Sequence, residues 1–264
     1  MMSKKTILVT GSTDGIGLLT AKKLASKGHE VLLHGRNKSK LEAAAGEIGG
    51  KTASYVADLS RMADVVAMAD AVAQNHARLD VLINNAGILK TPNPRTADGL
   101  DIRFMVNTFA PYALTRRLLP IIPKEGRVIN LSSAAQAPVD LDAMAGQGAL
   151  DEMSAYAQSK LAITIWSREL ANELGDGPVI IAVNPGSLLA SKMVKEGFGV
   201  DGKDMQIGVD ILCRASLDAD FADASGKYFD NDIGSFNQPN AAARDARHAS
   251  EVMRTIEECV KRLS

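Results

Sequence analysis

The sequence is poor in the residues that metal centres, disulfide frameworks and nucleic-acid surfaces require. It has two cysteines and four histidines in 264 residues, and aromatic residues make up only 4% of the chain. Cys213 and Cys259 show no metal-ligand spacing and the histidines are scattered, so we expect no metal site and no disulfide scaffold. The net charge of -1 gives no basic excess to attract nucleic acid or an anionic membrane.

Long apolar runs are missing as well. The N-terminal residues lead into the short run Ile7–Val9, which is too short for a signal peptide or a membrane-spanning helix. We therefore expect a cytoplasmic protein with no membrane partner, and the low cysteine content fits a reducing compartment. A hydrophobic fraction of 46% and a charged fraction of 23% are ordinary for a globular chain.

Short apolar stretches alternate with helical patterns along the chain. Strands are predicted at residues 6–10, 31–34, 53–57, 81–84, 127–131, 178–183 and 226–229. Helices are predicted at residues 15–27, 38–48, 62–76, 99–119, 154–174 and 242–263. We expect Pro111 to kink the fourth helix unless that helix has already bent. This alternation predicts an α/β fold, a Rossmann-like doubly wound parallel sheet of about seven strands, in a single domain over residues 1–264.

The turn after the first predicted strand is rich in glycine. Gly11, Gly15 and Gly17 follow the spacing G-x3-G-x-G. Open parallel sheets bind ligands beyond the carboxyl ends of their strands, where a helix N-terminus offers free N–H groups to phosphate. No Gly-Lys-Ser/Thr follows, so a nucleoside triphosphate loop is excluded. The loop indicates a dinucleotide site, with a purely structural turn as the alternative. The other residues assigned to this site are Ser12, Thr13, Asp14 and Ile16.

The end of the second predicted strand bears on the choice of cofactor. A site for NAD places a carboxylate there to accept the ribose 2′-hydroxyl, but residues 34–37 read His-Gly-Arg-Asn. Gly35 leaves space, and Arg36 can bind a 2′-phosphate through charge-assisted hydrogen bonds. We therefore predict NADP(H), with NAD(H) less favoured. An exposed Arg36 without a ligand is the alternative.

Tyr156 and Lys160 are four residues apart in a predicted helix, so they lie on the same face. A free tyrosine titrates near pH ~10 and is a poor base at neutral pH. A neighbouring ammonium favours the phenolate, which makes a tyrosine useful as a general acid/base. A solvated helix face is the alternative for this pair alone. Ser132 and Ser133 end the fifth predicted strand, and only one of them can face a substrate because neighbouring strand residues alternate.

In this order and spacing, the motifs resemble the short-chain dehydrogenase/reductase family from about Lys5 to Phe229. The gap between Ser133 and Tyr156, the sequence at 226–229 and the tail helix resemble its retinol-dehydrogenase-like branch. The resemblance assigns a cofactor-binding half to about residues 1–130 and a catalytic half to about 131–264. It adds these cofactor contacts to the glycine loop and Arg36: Asp58, Leu59, Asn85, Ala86, Gly87, Tyr156, Lys160, Pro185, Gly186 and Ser191.

The resemblance implies four catalytic residues. Tyr156 would transfer a proton to or from the substrate oxygen, and Lys160 would hold the nicotinamide ribose and lower the pKa of Tyr156. Ser133 would donate a hydrogen bond to the substrate oxygen, and Asn107 would hold a water that links Lys160 to solvent.

Two positions depart from the family pattern. Asp14 stands where many NADP-using members carry a basic residue. Ala190 stands where a carboxamide-contacting threonine is usual, so that the neighbouring Ser191 would have to serve.

The implied activity is the NADP(H)-dependent interconversion of an alcohol and a carbonyl on a small, lipophilic substrate. We expect the substrate pocket to be formed by residues 134–154, acting as a lid, and by residues 187–208. We also expect a homodimer or homotetramer that pairs through the helices carrying Asn107 and Tyr156. The alternatives are a non-catalytic NADP(H)-binding redox sensor and an isomerase or dehydratase without net redox change.

Overall fold

One eight-stranded sheet organises the part of the chain that the structure describes. The structure is a computed structural model, and it describes residues 4–50, 52–190 and 192–264. The strands are β1 Thr6–Val9, β2 Glu30–Gly35, β3 Thr52–Val56, β4 Val81–Asn84, β5 Arg127–Leu131, β6 Val179–Asn184, β7 Tyr228–Asp230 and β8 Ser235–Asn237. Their order is β3-β2-β1-β4-β5-β6-β7-β8, and all neighbours are parallel except β7 and β8. The predicted α/β fold with a mostly parallel sheet is confirmed.

Helices cover both faces of this sheet. They are α1 Gly15–Ser26, α2 Lys38–Ile48, α3 Met62–Asn75, α4 Ile102–Phe104, α5 Ala110–Leu118, α6 Leu141–Met144, α7 Glu152–Leu174, α8 Lys192–Phe198, α9 Gln206–Leu217 and α10 Ala246–Leu263. Ile7 and Val9 of β1 pack in the layer that holds α1 and α9, whereas Leu8 packs in the layer of α3, α5 and α7. Because alternate strand residues enter two apolar layers, the inner strands read as continuous apolar runs. Within the described residues, no helix combines the length and apolar character needed to cross a bilayer.

The predicted long helix over residues 99–119 is divided in the structure. A π-helical turn, Met105–Phe109, separates α4 from α5, and Pro111 lies in the first turn of α5. Proline has no N–H to donate, and its ring clashes with the carbonyl four residues earlier in a regular helix. The wider π turn accommodates Pro111 without ending the helical path, and it leaves Asn107 at the point of irregularity.

The sequence patterns miss the edge strand β8 and helix α9, among other elements. β8 has three exposed residues, Ser235–Asn237, and pairs antiparallel with β7, so it lacks the apolar run that marked the other strands. Helix α9 follows the glycine-rich segment, yet it buries Val209, Ile211 and Leu212 against the layer that contains α1. Among the described residues, the sheet therefore has seven parallel strands, close to the predicted number, and one additional antiparallel edge strand.

The insertion at residues 134–154, expected to act as a lid, is tied to the body of the protein. Arg95 donates hydrogen bonds to the carbonyl oxygens of Gly146 and Gly148, and the Asp140 N–H donates to Gln158 Oε1 at 2.9 Å. Met144 of α6 is fully buried. These contacts fasten the insertion around α6 to the body of the protein, whereas a lid needs few buried contacts in order to open.

Helix α10 covers the helix face on which we expected a second copy to pair. Its buried residues Val252, Ile256 and Cys259 belong to the same apolar cluster as Trp166 of α7. Residues 158–167 of α7 are all buried within the single chain, which requires cover on every side of that helix. Helix α10 of the same chain therefore covers this face of α7, and the homodimer or homotetramer stays a prediction.

Candidate active site

A cleft with a volume of about 540 Å³ opens at the carboxyl ends of β1 and β4, where the strand order reverses. Open α/β sheets bind their ligands at such a switch point. Most of the residues predicted to bind cofactor line this cleft. They are Gly11, Thr13, Asp14, Gly15, Ile16, Gly17, Arg36, Asp58, Leu59, Asn85, Ala86, Gly87, Tyr156, Lys160 and Pro185.

The glycine loop has the backbone that its sequence predicts. Gly11 and Gly15 have φ angles of 66° and 55°, in the left-handed region that favours glycine. A Cβ atom on Gly17 would overlap the carbonyl oxygen of Gly11 and the side-chain amide of Asn85. The loop therefore turns tightly and brings the first turn of α1 close to the β4 end of the cleft. The N–H groups of that turn are suited to a pyrophosphate.

Two loops are fastened together at this point. The Asn85 side chain donates to the Thr10 carbonyl oxygen at 2.8 Å, and the Ala86 N–H donates to Thr10 Oγ1 at 3.0 Å. These bonds join the segment after β4 to the segment after β1. The Asn85 amide nitrogen, which also donates to the Gly11 carbonyl oxygen at 3.2 Å, is thus used in holding the glycine loop.

His34 fixes the glycine loop from the end of β2, a role that the sequence patterns did not reveal. Its Nδ1 accepts the Gly11 N–H at 3.0 Å, so the ring proton is on Nε2 and is donated to the Ala57 carbonyl oxygen at 3.1 Å. Burial lowers the pKa of His34 to about 4, against a smaller raising effect of the bond to Ala57. The imidazole is therefore neutral near pH 7, as this tautomer requires.

Ser12 is a correction to the predicted cofactor contacts. The side chain is fully buried, and both its N–H and its Oγ donate to the His34 carbonyl oxygen, at 2.9 and 3.3 Å. Its Oγ also accepts the His34 N–H at 2.9 Å. These bonds leave Ser12 in the interior between β1 and β2, so it supports the loop and does not line the cleft.

Two positively charged side chains, those of Arg36 and Lys40, lie at the end of the cleft that follows β2. Arg36 is exposed, as is Lys40 in the first turn of α2, and both line the cleft. We expect Gly35 to leave space for the cofactor, but in the structure a Cβ at this position would collide with the methyl group of Thr13. The missing side chain makes space for Thr13 and not directly for a cofactor. Asp14 caps α1 by accepting the Gly15 N–H at 2.7 Å. The same residue also lines the cleft.

Tyr156 and Lys160 meet on one face of α7 at the inner end of the cleft. The Lys160 Nζ lies 5.7 Å from the centre of the Tyr156 ring and donates a hydrogen bond to the Leu131 carbonyl oxygen at 2.7 Å. Lys160 is 4% exposed, and burial lowers its pKa to about 8. The Lys160 ammonium therefore has one hydrogen-bond acceptor from the protein and little contact with solvent.

The pKa of Tyr156 differs from the expected direction. Burial raises the pKa of the phenol, and a hydrogen bond with the Ser133 side chain lowers it by less. We expected Lys160 to lower this pKa, but in the structure desolvation outweighs any such effect while the ammonium is bonded to Leu131. Tyr156 is consequently a neutral phenol at pH 7, which can donate a proton.

The two serines at the end of β5 bond to different residues of α7. The Ser132 Oγ donates to the Lys160 carbonyl oxygen at 3.1 Å and lies 2.7 Å from the Thr164 Oγ1, so it is bound to α7. The Ser133 hydroxyl instead forms a hydrogen bond with Tyr156 and accepts the Ala135 N–H at 3.1 Å. The structure thus brings Ser133, and not Ser132, to the phenol.

Asn107 holds the segment after β4 in place. Its Oδ1 accepts the Ile88 N–H at 2.8 Å, and its Nδ2 donates to the Ile88 carbonyl oxygen at 3.0 Å and to Ser159 Oγ at 2.9 Å. Both amide hydrogens are therefore used within the protein. These bonds position the backbone beside Gly87, and the water link from Asn107 to Lys160 stays a prediction.

Comparison with known proteins decides the family. The family model described as short chain dehydrogenase matches residues 5–198. This chain belongs to the short-chain dehydrogenase family. It is 33% identical over 251 residues to retinol dehydrogenase 13 of Homo sapiens, covering 86% of this chain and 76% of that protein. The predicted family and its retinol-dehydrogenase-like branch are confirmed, and the protein is an NAD(P)-dependent oxidoreductase that acts on alcohol and carbonyl groups.

Solved structures agree with this assignment. An uncharacterised protein from Mycobacterium paratuberculosis matches with a TM-score of 0.81 at 28% identity, covering 98% of this chain and 94% of that one. A short chain dehydrogenase from Shigella flexneri, complexed with NADP, matches with a TM-score of 0.68 at 28% identity and covers 86% of this chain and 96% of that one. A nicotinamide dinucleotide is therefore the cofactor class of this dehydrogenase.

The remaining site predictions fall in three groups. Gly186 lies after β6 with φ of 123°, beside the cleft but not in its lining, and Ser191 lies outside the described residues. The segment at 187–208 does contribute to the dehydrogenase cleft, through Lys192, Met193 and Glu196 of α8, as predicted. The insertion at 134–154 supplies none of the described residues that line the cleft, which corrects the expected substrate pocket.

Proposed function

We propose that this dehydrogenase uses NADP(H) to interconvert a lipophilic alcohol and its carbonyl compound, with Tyr156 as general acid/base. The observation that carries the proposal is the meeting of Tyr156 and Lys160 in a cleft that begins at a glycine-lined helix N-terminus, with the Ser133 hydroxyl bonded to the phenol. A phenol, an ammonium and a hydroxyl at one point suit proton transfer to an oxygen atom.

The residues present fit a dinucleotide along the whole cleft. A Cβ on Gly11 would press on Ala86, and one on Gly87 would approach the Lys160 Nζ at 3.5 Å, so both glycines keep the floor of the cleft free of side chains. The first turn of α1 would bind the pyrophosphate, and Asp58 with Leu59 would lie against the adenine. The nicotinamide supplies or accepts the hydride, which no side chain of this protein can do.

Each catalytic side chain has a defined task in this proposal. In carbonyl reduction, the neutral phenol of Tyr156 donates its proton to the substrate oxygen as negative charge develops there. The Ser133 hydroxyl donates a hydrogen bond to the same oxygen and stabilises that charge. Lys160 holds a ribose hydroxyl, and its positive charge favours the phenolate that Tyr156 becomes. In alcohol oxidation the same groups work in reverse.

The preference for NADP(H) rests on charge. Arg36 and Lys40 both line the β2 end of the cleft, and no carboxylate follows β2 to accept a ribose 2′-hydroxyl. Lys40 follows Arg36 by four residues and begins α2, so it adds a second cation that the sequence patterns did not assign. The Shigella flexneri dehydrogenase complexed with NADP supports this preference.

The proposal of a lipophilic substrate is based on the apolar side chains that line the cleft beside Lys160. Leu89, Val106 and Met193 line the cleft, and the Cε of Met193 would lie 3.8 Å from a Cβ on Gly87. These side chains offer apolar surface next to the reacting groups. The similarity to a retinol dehydrogenase, whose name gives an isoprenoid alcohol as substrate, supports the same class.

The test is cofactor consumption with a substrate panel. Oxidation of NADPH and of NADH is followed at 340 nm with aliphatic, aromatic and isoprenoid aldehydes and ketones, and the alcohols are run in reverse. We expect NADPH oxidation with the apolar carbonyls at a lower KM than with polar carbonyls of equal size. NADPH binding without oxidation would favour a redox sensor, and product formation without net oxidation would favour an isomerase or dehydratase.

A further inference from the structure

A second groove lies on the α7 side of the sheet, behind the active site. It has a volume of about 530 Å³ and shares no lining residue with the cofactor cleft. Its walls come from α7, from the start of β7, and from the segment that runs from β8 to residue 244. Its size suits a small organic molecule.

Three cations line this groove, and no carboxylate does. They are Arg168, Lys227 and Arg244. Lys227 and Arg244 are exposed, and the described residues include no ion-pair partner for either one. The carboxylate nearest to this set is Glu169, 3.8 Å from the Arg168 Nε and outside the lining. Like charges around one groove repel each other, and a bound anion relieves that repulsion.

The groove also has a fixed donor and an aromatic wall. The Arg168 Nη1 donates to the Ala243 carbonyl oxygen at 3.0 Å, which orients the guanidinium and leaves the Nη2 group for a ligand. The Lys227 Nζ lies 5.4 Å from the centre of the Phe236 ring, and Phe236 is 40% exposed. An exposed ring beside oriented cations suits a ligand that carries an oxyanion on a flat apolar body.

We propose that this groove binds a small organic anion, a carboxylate or phosphate carried on a flat apolar group, at a site separate from the cofactor cleft. Arg168 and Arg244 hold the oxyanion, Lys227 neutralises it, and Phe236 packs against the flat group. The floor of the groove adjoins the catalytic residues. The Tyr228 hydroxyl donates to the Ser133 carbonyl oxygen at 3.1 Å, and Thr164 Oγ1 donates to the Lys160 carbonyl oxygen at 2.8 Å. The site is independent of which substrate the dehydrogenase reduces.

Calorimetric titration of the full chain tests the proposal. The probes are phenyl phosphate and benzoate, with benzamide as the uncharged control and inorganic phosphate as the control without a ring. Titrations are run with NADP⁺ present and absent, because a probe that enters the cofactor cleft loses affinity when NADP⁺ is added. A failure of NADP⁺ to bind would affect the proposed cofactor and leave the groove result readable.

The double variant Lys227→Gln/Arg244→Gln should bind the anionic probes about twofold to 25-fold more weakly, since each lost ion pair is worth up to about fivefold. The control Lys124→Gln/Lys261→Gln makes the same charge change outside the groove and should bind like the unmodified protein. Higher salt should also weaken binding. Binding of benzamide as tight as benzoate, equal loss in both double variants, or no binding of either anion to the unmodified protein would overturn the proposal.

Discussion

The Lys160 ammonium lies 5.7 Å from the centre of the Tyr156 ring and donates its hydrogen bond to the Leu131 carbonyl oxygen. Burial lowers the pKa of Lys160 to about 8 and raises that of Tyr156 above its ordinary value. Between neutral pH and pH 8 the site therefore holds a neutral phenol beside an ammonium. This is the protonation state that carbonyl reduction needs.

We predict a basic limb in the pH profile of the reduction. With NADPH as the varied substrate, kcat/KM should be level below the pKa of Lys160 and should fall as pH rises through about 8, because the ammonium is lost there. Lys160→Met should be slower by about a hundredfold or more and should lack this limb. A profile of the unmodified enzyme that stays level to pH 10 would contradict the role given to Lys160.

Arg36 and Lys40 should set the preference for NADPH over NADH. Arg36→Gln and Lys40→Gln should each raise the KM for NADPH, by about tenfold to a hundredfold for Arg36, because a charge-assisted hydrogen bond to the 2′-phosphate is lost. The KM for NADH should change little. Lys38→Gln is the matched control, because Lys38 is exposed on the same helix and does not line the cleft.

Asp14 should act in the opposite direction at the same site. Its carboxylate caps α1 beside the place of the pyrophosphate, where a negative charge repels phosphate. Asp14→Asn keeps a good capping residue and removes the charge, so it should lower the KM for both cofactors by a few-fold. Weaker binding of both cofactors by this variant would show that the carboxylate is needed in the loop.

His34 should make the fold sensitive to acid. Its pKa falls from 6.5 to about 4 on folding, so the unfolded chain binds a proton that the folded chain does not between these values. Stability is therefore lost as pH falls from about 6.5 to about 4, by about 3 kcal/mol from this group. Urea unfolding at pH 7 and pH 4 should show a smaller loss for His34→Asn, whose side-chain oxygen can still accept the Gly11 N–H. Equal losses in both proteins would contradict this.

Helix α10 should keep the chain monomeric. Ile256 and Val252 are buried in the apolar seam with α7, so the surface expected to pair is covered. Light scattering after gel filtration should give the mass of one chain. Ile256→Ala should lower the free energy of unfolding by about 2–5 kcal/mol, whereas Lys261→Ala, on the exposed side of α10, should change it by less than about 0.5 kcal/mol. A dimer with cross-links between α5 or α7 of two copies would contradict this.

The sequence predicts the strands of this fold best where both faces are buried. β4 and β5 fall at the predicted residues because Val81–Asn84 and Arg127–Leu131 are short apolar runs between turns. The edge strand β8 is missed because exposed residues such as Ser235 carry no apolar signal. The glycine loop is found because positive φ angles at Gly11 and Gly15 and close approach of the backbone at Gly17 permit few other residues.

The sequence predicts which residues form the candidate site, but it does not predict the hydrogen bonds that hold them in place. The i, i+4 spacing of Tyr156 and Lys160 gives their common face, but not the acceptor at Leu131 that holds the ammonium. Likewise, nothing in the sequence around His34 shows that its ring accepts the Gly11 N–H, because the two residues are 23 positions apart. Such contacts depend on how neighbouring strands pair, which the local pattern does not contain.

Removal of a single phenolic oxygen tests the central claim most directly. Tyr156→Phe should lower kcat for carbonyl reduction by about 10²- to 10⁴-fold while NADPH binds with unchanged affinity, because only the proton donor is lost. Tyr55→Phe is the control, since it removes the same atom from a hydroxyl that lies 2.8 Å from the His76 Nε2 and outside the cleft lining. If Tyr156→Phe keeps most of its turnover with cofactor bound, Tyr156 is not the proton donor.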